Sequence, residues 1–231
     1  MERMHTIGYV KKVFTFSREM LMKKLVVCLV MGFLCSAVFA ADEIKLPAPK
    51  KSGGMPVLEA IDNRGSATGS EFPKGGISDA DLSTILWAAS GHNRDGKLWT
   101  VPMAMGREPY CKVYVLRKDG AYLFDWRNHS LRKVSGDDLT KTVPMQPFAQ
   151  HAPVTLVIAS DGKEVADMSG QFAGEFAVVL AGAMSQNIYL AAESVNVGAR
   201  LVYSIKRDVA SKSLKLAETD TPFFGIILGG K

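Results

Sequence analysis

The stretch "EFAVVLAGAMSQNIYLAAESV", Glu175 to Val195, limits the fold more than any other part of the chain. It holds no proline and reads as one continuous helix, with apolar or small residues on most of its circumference. A helix of that kind has no broad polar face to turn to water, so it is expected to be central, with other elements packed around it. Gln186 and Asn187 stand side by side in its middle. Inside a helical core each unmet amide group costs about 1 to 3 kcal/mol, so something must meet them.

The elements available to surround this helix change period along the chain. "PVLEAIDNR", with Pro56 suited to a first turn and Leu58, Ala60 and Ile61 on one side, predicts a short helix ending near Arg64. "SDADLSTILWAASG" predicts a second. Ser78 and Asp81 form a variant of the capping box, Leu82, Ile85, Leu86 and Ala89 give the stripe, and Gly91 gives the stop. "CKVYVL" from Cys111, the turn at Lys118 to Gly120, "AYLFDW", the turn at Arg127 to His129 and "SLRKV" read as a β-meander. "APVTLVIAS", Ala152 to Ser160, is apolar almost throughout and predicts a strand buried on both faces. "TPFFGIILGG" is a final strand opened by Pro222. Helices before and after a small, mostly antiparallel sheet indicate a single α+β domain.

The N-terminus belongs to a different argument. Lys23 and Lys24 precede "LVVCLVMGFLCSAVFA", which ends with small residues at Val38 and Ala40, as a signal peptidase requires. Residues 1–40 therefore read as an N-terminal extension and signal peptide cleaved after Ala40, and the chain as periplasmic or secreted; a retained membrane anchor is the alternative, although the run is shorter than the ~20 residues that span a bilayer. The late position of this run leaves Met20 or Met22 as alternative starts. Residues 41–55, rich in Pro, Lys and Gly, read as a linker, and 56–231 as the folded domain.

The leader also carries most of the basicity. It holds six of the 28 Lys and Arg but only two of the 23 Asp and Glu, so the remainder is close to neutral. An argument for nucleic-acid or acidic-membrane partners from overall charge fails on that point. Cys28 and Cys35 leave with the leader, and Cys111 alone allows neither an internal disulfide nor a CxxC motif. His92, His129 and His151 show no ligand spacing and read as surface or loop residues, so no metal site is expected. Cys111 opens a strand, where a small buried residue is ordinary. There is no GxSxG elbow or P-loop, and the Gly-Gly pairs at 53–54, 75–76 and 229–230 lack the strand–GxGxxG–helix context of a dinucleotide site.

Three separated segments, in order, resemble one family. "LSTILWAASGHNRDGKLWTVPMAMGREP" is similar to the helix, Asn-Arg and Pro-Ser-Ala-x-Asn turn of nitroreductase-like flavoproteins, "SQNIYLAAESVNVG" to their central helix, and "TPFFGIILGGK" to their C-terminal strand. The resemblance runs from about Leu58 onward and is closest to the branch that includes the azoline dehydrogenases. It implies a nitroreductase-like fold with a long central helix, an obligate homodimer, and FMN at each end of the dimer interface. The activity implied is an FMN-dependent oxidoreductase passing hydride from a small-molecule donor to a small-molecule acceptor, with the chemistry supplied by the flavin and no catalytic side chain identified. A degenerate relative acting as a ligand-binding or interaction module is the alternative, and a periplasmic binding domain unrelated to flavins is a third.

The site residues follow from the same resemblance. Arg64 and Ser66 match the phosphate and ribityl ligands, Pro102 to Gly106 the turn that lies against the partner chain's flavin, Tyr203 and Ser204 the loop whose backbone faces N5, and Lys231 a late basic phosphate ligand. Thr68 stands where the family has a second Arg, and Met103 and Gly106, on either side of Ala104, replace the turn's Ser and Asn. Losing one charge-assisted hydrogen bond costs about 1.5 to 3 kcal/mol, so either Arg94 and Arg107 compensate or FMN is held weakly. Gln186 and Asn187 are expected to bridge backbone groups of neighbouring elements or of the partner, with substrate contact as the lesser reading.

Overall fold

The computed structural model describes residues 43–67, 72–102, 107–168 and 172–231. The leader and its cleavage site lie outside these, as do Thr68, Met103, Ala104 and Gly106.

The segment read as a linker begins with a strand, β1 (Glu43–Lys45), at the edge of the main sheet. Its "EIKL" alternates charged and apolar residues, a period-two signal hidden by the Pro, Lys and Gly that follow, and Leu46 is buried. Helix α1 (Val57–Asn63) ends where expected, with Arg64 as C-cap. Helix α2 (Asp79–Ser90) has the predicted cap: Ser78 Oγ accepts from the Asp81 N–H at 3.1 Å. Its predicted stripe of Leu82, Ile85, Leu86 and Ala89 is buried. A two-stranded ribbon, β2 (His92–Asn93) and β3 (Leu98–Trp99), follows around a tight turn in which Arg94 and Asp95 take positive φ, 48° and 58°.

The meander is β4 (Cys111–Arg117), β5 (Gly120–Asp125) and β6 (Ser130–Ser135), all antiparallel. Strand β7 (Val154–Ser160) pairs with β4, and each of its residues is buried, as its apolar run predicts. Short helix α3 (Gly162–Ala166) precedes the long helix α4 (Ala173–Ser194). Strand β8 (Val197–Val202), helix α5 (Arg207–Ser213) and strand β9 (Pro222–Gly230) complete the chain. β8 and α5 are absent from the sequence reading. "VGARLV" is short and interrupted by Gly198 and Arg200, so it gives little periodic signal.

Among the described residues, seven strands form one sheet in the order β1-β6-β5-β4-β7-β9-β8. One face packs on α2 and α4 through Val115, Leu156, Ile158 and Ile226 against Ile85, Leu86, Leu180, Met184 and Ile188. The opposite face packs on α5 and the 139–143 segment through Tyr114, Leu116 and Val157 against Leu139, Val143, Ala210 and Leu214. The Gly75-Gly76 and Gly229-Gly230 pairs meet each other. The Gly230 N–H donates to Gly75 O at 2.9 Å, and a Cβ on Gly229 would lie 1.9 Å from Pro73 O, so these glycines serve close backbone approach.

Helix α4 is central on one side only. Val179 is 68% and Phe176 38% exposed, with Phe172 and Val178 also open, and α1 exposes Val57, Leu58 and Ile61. The apolar girth of α4 thus exceeds what the described residues cover.

Candidate functional site

Beyond α1 the chain leaves in an extended conformation, which carries Ser66 to a parallel bridge with Ala199 of β8. Tyr189, buried on α4, holds this junction. Its hydroxyl accepts from the Leu201 N–H at 2.6 Å and lies 2.9 Å from Ser66 Oγ, while the Arg64 guanidinium stacks 4.9 Å above its ring. Arg200 fastens the same loop: it donates to Ala67 O at 2.7 Å and stacks 4.9 Å from the Phe148 ring. Sequence reasoning missed both residues. Tyr189 has the spacing of a core aromatic, and only an arginine inside an otherwise apolar segment hinted at Arg200.

The other predicted residues distribute along β8. The Lys231 N–H donates to Asn196 O at 3.2 Å, which puts Lys231 at the start of that strand. Tyr203, 67% exposed, and Ser204 emerge at its end. Ser204 O accepts from the Met145 N–H at 3.1 Å, and the Arg207 guanidinium lies 5.7 Å from the Tyr203 ring. Six residues of strand span roughly 20 Å, the scale of one extended nucleotide-sized ligand. The arrangement therefore has a cation, Lys231, at the start of β8, Arg64 and the Ser66 hydroxyl beside its middle, and the exposed Tyr203 and Ser204 at its end. Lys231 is not free, however: its ammonium lies 2.7 Å from both oxygens of Glu193.

Pro102 is exposed and lies apart from this group, lining an open cleft of about 380 Å³ with Asn93, Arg94, Leu98 and Trp99. Thr68, Met103, Ala104 and Gly106 lie outside the described residues. Arg107 donates to Glu164 O and Asp167 O at 3.2 and 2.7 Å, so it caps the end of α3 and is unavailable as a substitute cation within its own chain. Arg94 sits in the β2–β3 turn.

The amide pair divides. Asn187 Nδ2 donates to Ala88 O and to Thr100 O, both at 3.1 Å, bridging α4 to the last turn of α2 and to the segment leading into Pro102. Gln186 is exposed, on the side of the helix with Val179 and Gly182, and makes no such bridge among the described residues.

A second cleft, of about 240 Å³, lies over Cys111 between β4, β5 and α3, and its charges serve each other. Lys112 pairs with Asp161 at 3.2 Å and with the buried Asp220 at 2.9 Å, and Arg127 with Glu108. Burial pushes the Cys111 thiol up to about 12, which suits a structural residue and not a nucleophile. His129, read as a loop residue, is half-buried and lies 2.7 Å from Ser83 Oγ; His92 packs at 5.5 and 5.0 Å on Trp99 and Trp126. No cluster of metal-ligating side chains occurs among the described residues.

Three comparisons bear on this arrangement. A crystal structure from Ralstonia eutropha JMP134, described as that of a nitroreductase, superposes with a TM-score of 0.74 at 30% identity, covering 82% of this chain and 89% of that one. The Escherichia coli microcin synthetase McbBCD complex aligns with a TM-score of 0.63 over 78% of this chain and 76% of the other, at 14% identity, which speaks to fold alone. A Methanocaldococcus jannaschii protein named as a nitroreductase is 27% identical over 158 residues, 64% of this chain and 79% of its own length. Residues 71–230 match the family model described as "Nitroreductase family". On that match and that likeness, this chain belongs to the nitroreductase family.

Proposed function

We propose that this chain is an exported, homodimeric oxidoreductase that uses FMN to carry hydride from a small-molecule donor to a small-molecule acceptor. Family membership supports an oxidoreductase of the flavin-using kind. The observation that carries the finer reading is the arrangement along β8: Arg64 and Ser66 fixed on Tyr189 near its middle, with Tyr203 and Ser204 exposed at its end. These residues fit a ligand with an anionic tail and a flat head. Arg64 and Ser66 would hold the phosphate and ribityl chain, and the backbone at Tyr203 and Ser204 would lie beside the flavin ring. Bound there, the flavin supplies the redox chemistry. Tyr189 keeps the Arg64–Ser66 loop in register with β8, and Arg200 prevents it from lifting away.

The exposed apolar faces of α1 and α4 support the dimer, which would bring Pro102 of one chain to the flavin of the other. Export rests on the leader, and mass spectrometry of the mature protein is expected to find Ala41 first. A second reading, a flavin-fold module without turnover, draws on the Lys231–Glu193 pair, which removes one phosphate cation. A visible spectrum of the purified protein before and after adding FMN tests flavin binding, with a bound-flavin spectrum expected. Reduction by NAD(P)H or dithionite and reoxidation by an acceptor then separate the enzyme from the module. Absence of a flavin spectrum at saturating FMN would sink the proposal.

A further inference from the structure

Glu193 stands one turn beyond Tyr189 on the same face of α4, a rise of ~6 Å. Its side chain is only 14% exposed, and both of its oxygens lie 2.7 Å from the Lys231 ammonium. Arg64 stacks on that same Tyr189. The neighbourhood assigned to a phosphate therefore contains a carboxylate already paired with one of its two nominal cations, Lys231. Arg200, the remaining cation beside the loop, is committed to Ala67 O and the Phe148 ring. A phosphate monoester carries about −1.5 to −2 charge at pH 7. Its attraction to Lys231 is offset by repulsion from Glu193 at a similar distance, because charges a few ångströms apart act on a third almost as a neutral pair.

We propose that Glu193 limits how strongly this site prefers FMN to riboflavin, which lacks the phosphate: by neutralising Lys231 it leaves Arg64 as the one cation acting on the phosphate, so that the preference for FMN is only the roughly ten- to hundredfold that one charge-assisted hydrogen bond gives. The proposal rests on the flavin reading above and adds a specificity-determining residue to it. Glu193 would touch neither the ring nor the ribityl chain, so its effect is confined to the phosphate. Replacing it frees the Lys231 ammonium to serve as the second cation.

The test is a set of fluorescence-quenching titrations of the purified protein with FMN and with riboflavin, on wild type, Glu193→Gln, and Glu193→Gln combined with Lys231→Gln. Wild type is expected to prefer FMN to riboflavin roughly ten- to a hundredfold, and Glu193→Gln to raise that preference about tenfold further while leaving riboflavin unchanged. Adding Lys231→Gln should erase that gain. Should Glu193→Gln not fold, Glu193→Ala, which a helix accepts without propensity cost, takes its place, and riboflavin binding reports whether the site is intact. An FMN-to-riboflavin ratio that Glu193→Gln does not move overturns this proposal and leaves the flavin reading standing. Failure of every variant to bind either flavin overturns both.

Discussion

Replacing Asn187 by Ala removes two hydrogen bonds at once, to Ala88 O and Thr100 O, each 3.1 Å long. Ala88 lies in the last turn of α2, where carbonyls have no partner within the helix, so Asn187 acts as a cap delivered from another element. Each bond contributes about 0.5 to 1.5 kcal/mol net, and both carbonyls belong to half-buried residues that water reaches only in part. The expected cost of Asn187→Ala is therefore about 2 kcal/mol, a fall in melting temperature of roughly 4 to 8 °C for a domain of this size. Asn187→Asp sharpens the test. It keeps the shape but turns a carboxylate toward two carbonyl oxygens, so it should be less stable than the alanine variant near neutral pH. Its folded-state pKa is raised, because the charged form is disfavoured, and stability should return as the pH falls and the protonated acid donates one hydrogen bond. Thermal denaturation of the three proteins at several pH values is the assay. If both variants lie within about 0.5 kcal/mol of wild type, the amide bridge is not what holds α4 to α2, and the reasoning fails.

Arg64→Ala should weaken FMN binding roughly ten- to a hundredfold by loss of a charge-assisted hydrogen bond, with a stability cost of at most ~1 kcal/mol from its stacking on Tyr189; identical titrations would make Arg64 a surface residue. Light scattering should report twice the chain mass for wild type, and Val179→Asp, at a position 68% exposed in the single chain, should halve it; a stable wild-type monomer would refute the interface. His129 is held below the ordinary histidine range, chiefly by burial and further by Lys45 and Lys51, against the pull of the Pro47 carbonyl. The unfolded chain therefore takes up this proton first, so the contribution of His129 is complete above the ordinary range and is lost as pH falls through it toward the folded value. Denaturation midpoints should drop across that window, and the same drop in His129→Gln would assign it to other groups.

Local rules carried the legible part of the fold. Ser78, Asp81 and Gly91 bound α2 through contacts within one turn, and the apolar run at Val154 to Ser160 could hardly be anything but a doubly covered strand. β8 escaped because six residues with Gly198 and Arg200 carry no clear period; its strand character comes from pairing with β9, about 30 residues later. The site divides in the same way. Arg64 and Ser66 stand out through resemblance to a family, but the residues that hold them, Tyr189 and Arg200, come from distant elements. Glu193 gave no signal, because its meaning depends on Lys231, 38 positions away in the chain. The apolar circumference of α4 is buried on one side, and among the described residues Val178 and Val179 stay open on the other.

β8 has β9 along one side, and among the described residues its other side meets the Ser66 bridge and the Tyr189 hydroxyl. Strands in this position open as units, and amide hydrogen exchange reads such openings directly. The amides of Val197 to Val202 should then exchange at similar rates, set by how often the 64–67 loop detaches. A ligand that grips Arg64 and Ser66 would slow exchange as far along as Val202, with no contact needed there. Occupancy of the tail would thus stiffen the segment under the head before the head arrives, making β8 a mechanical link between the two halves of the pocket.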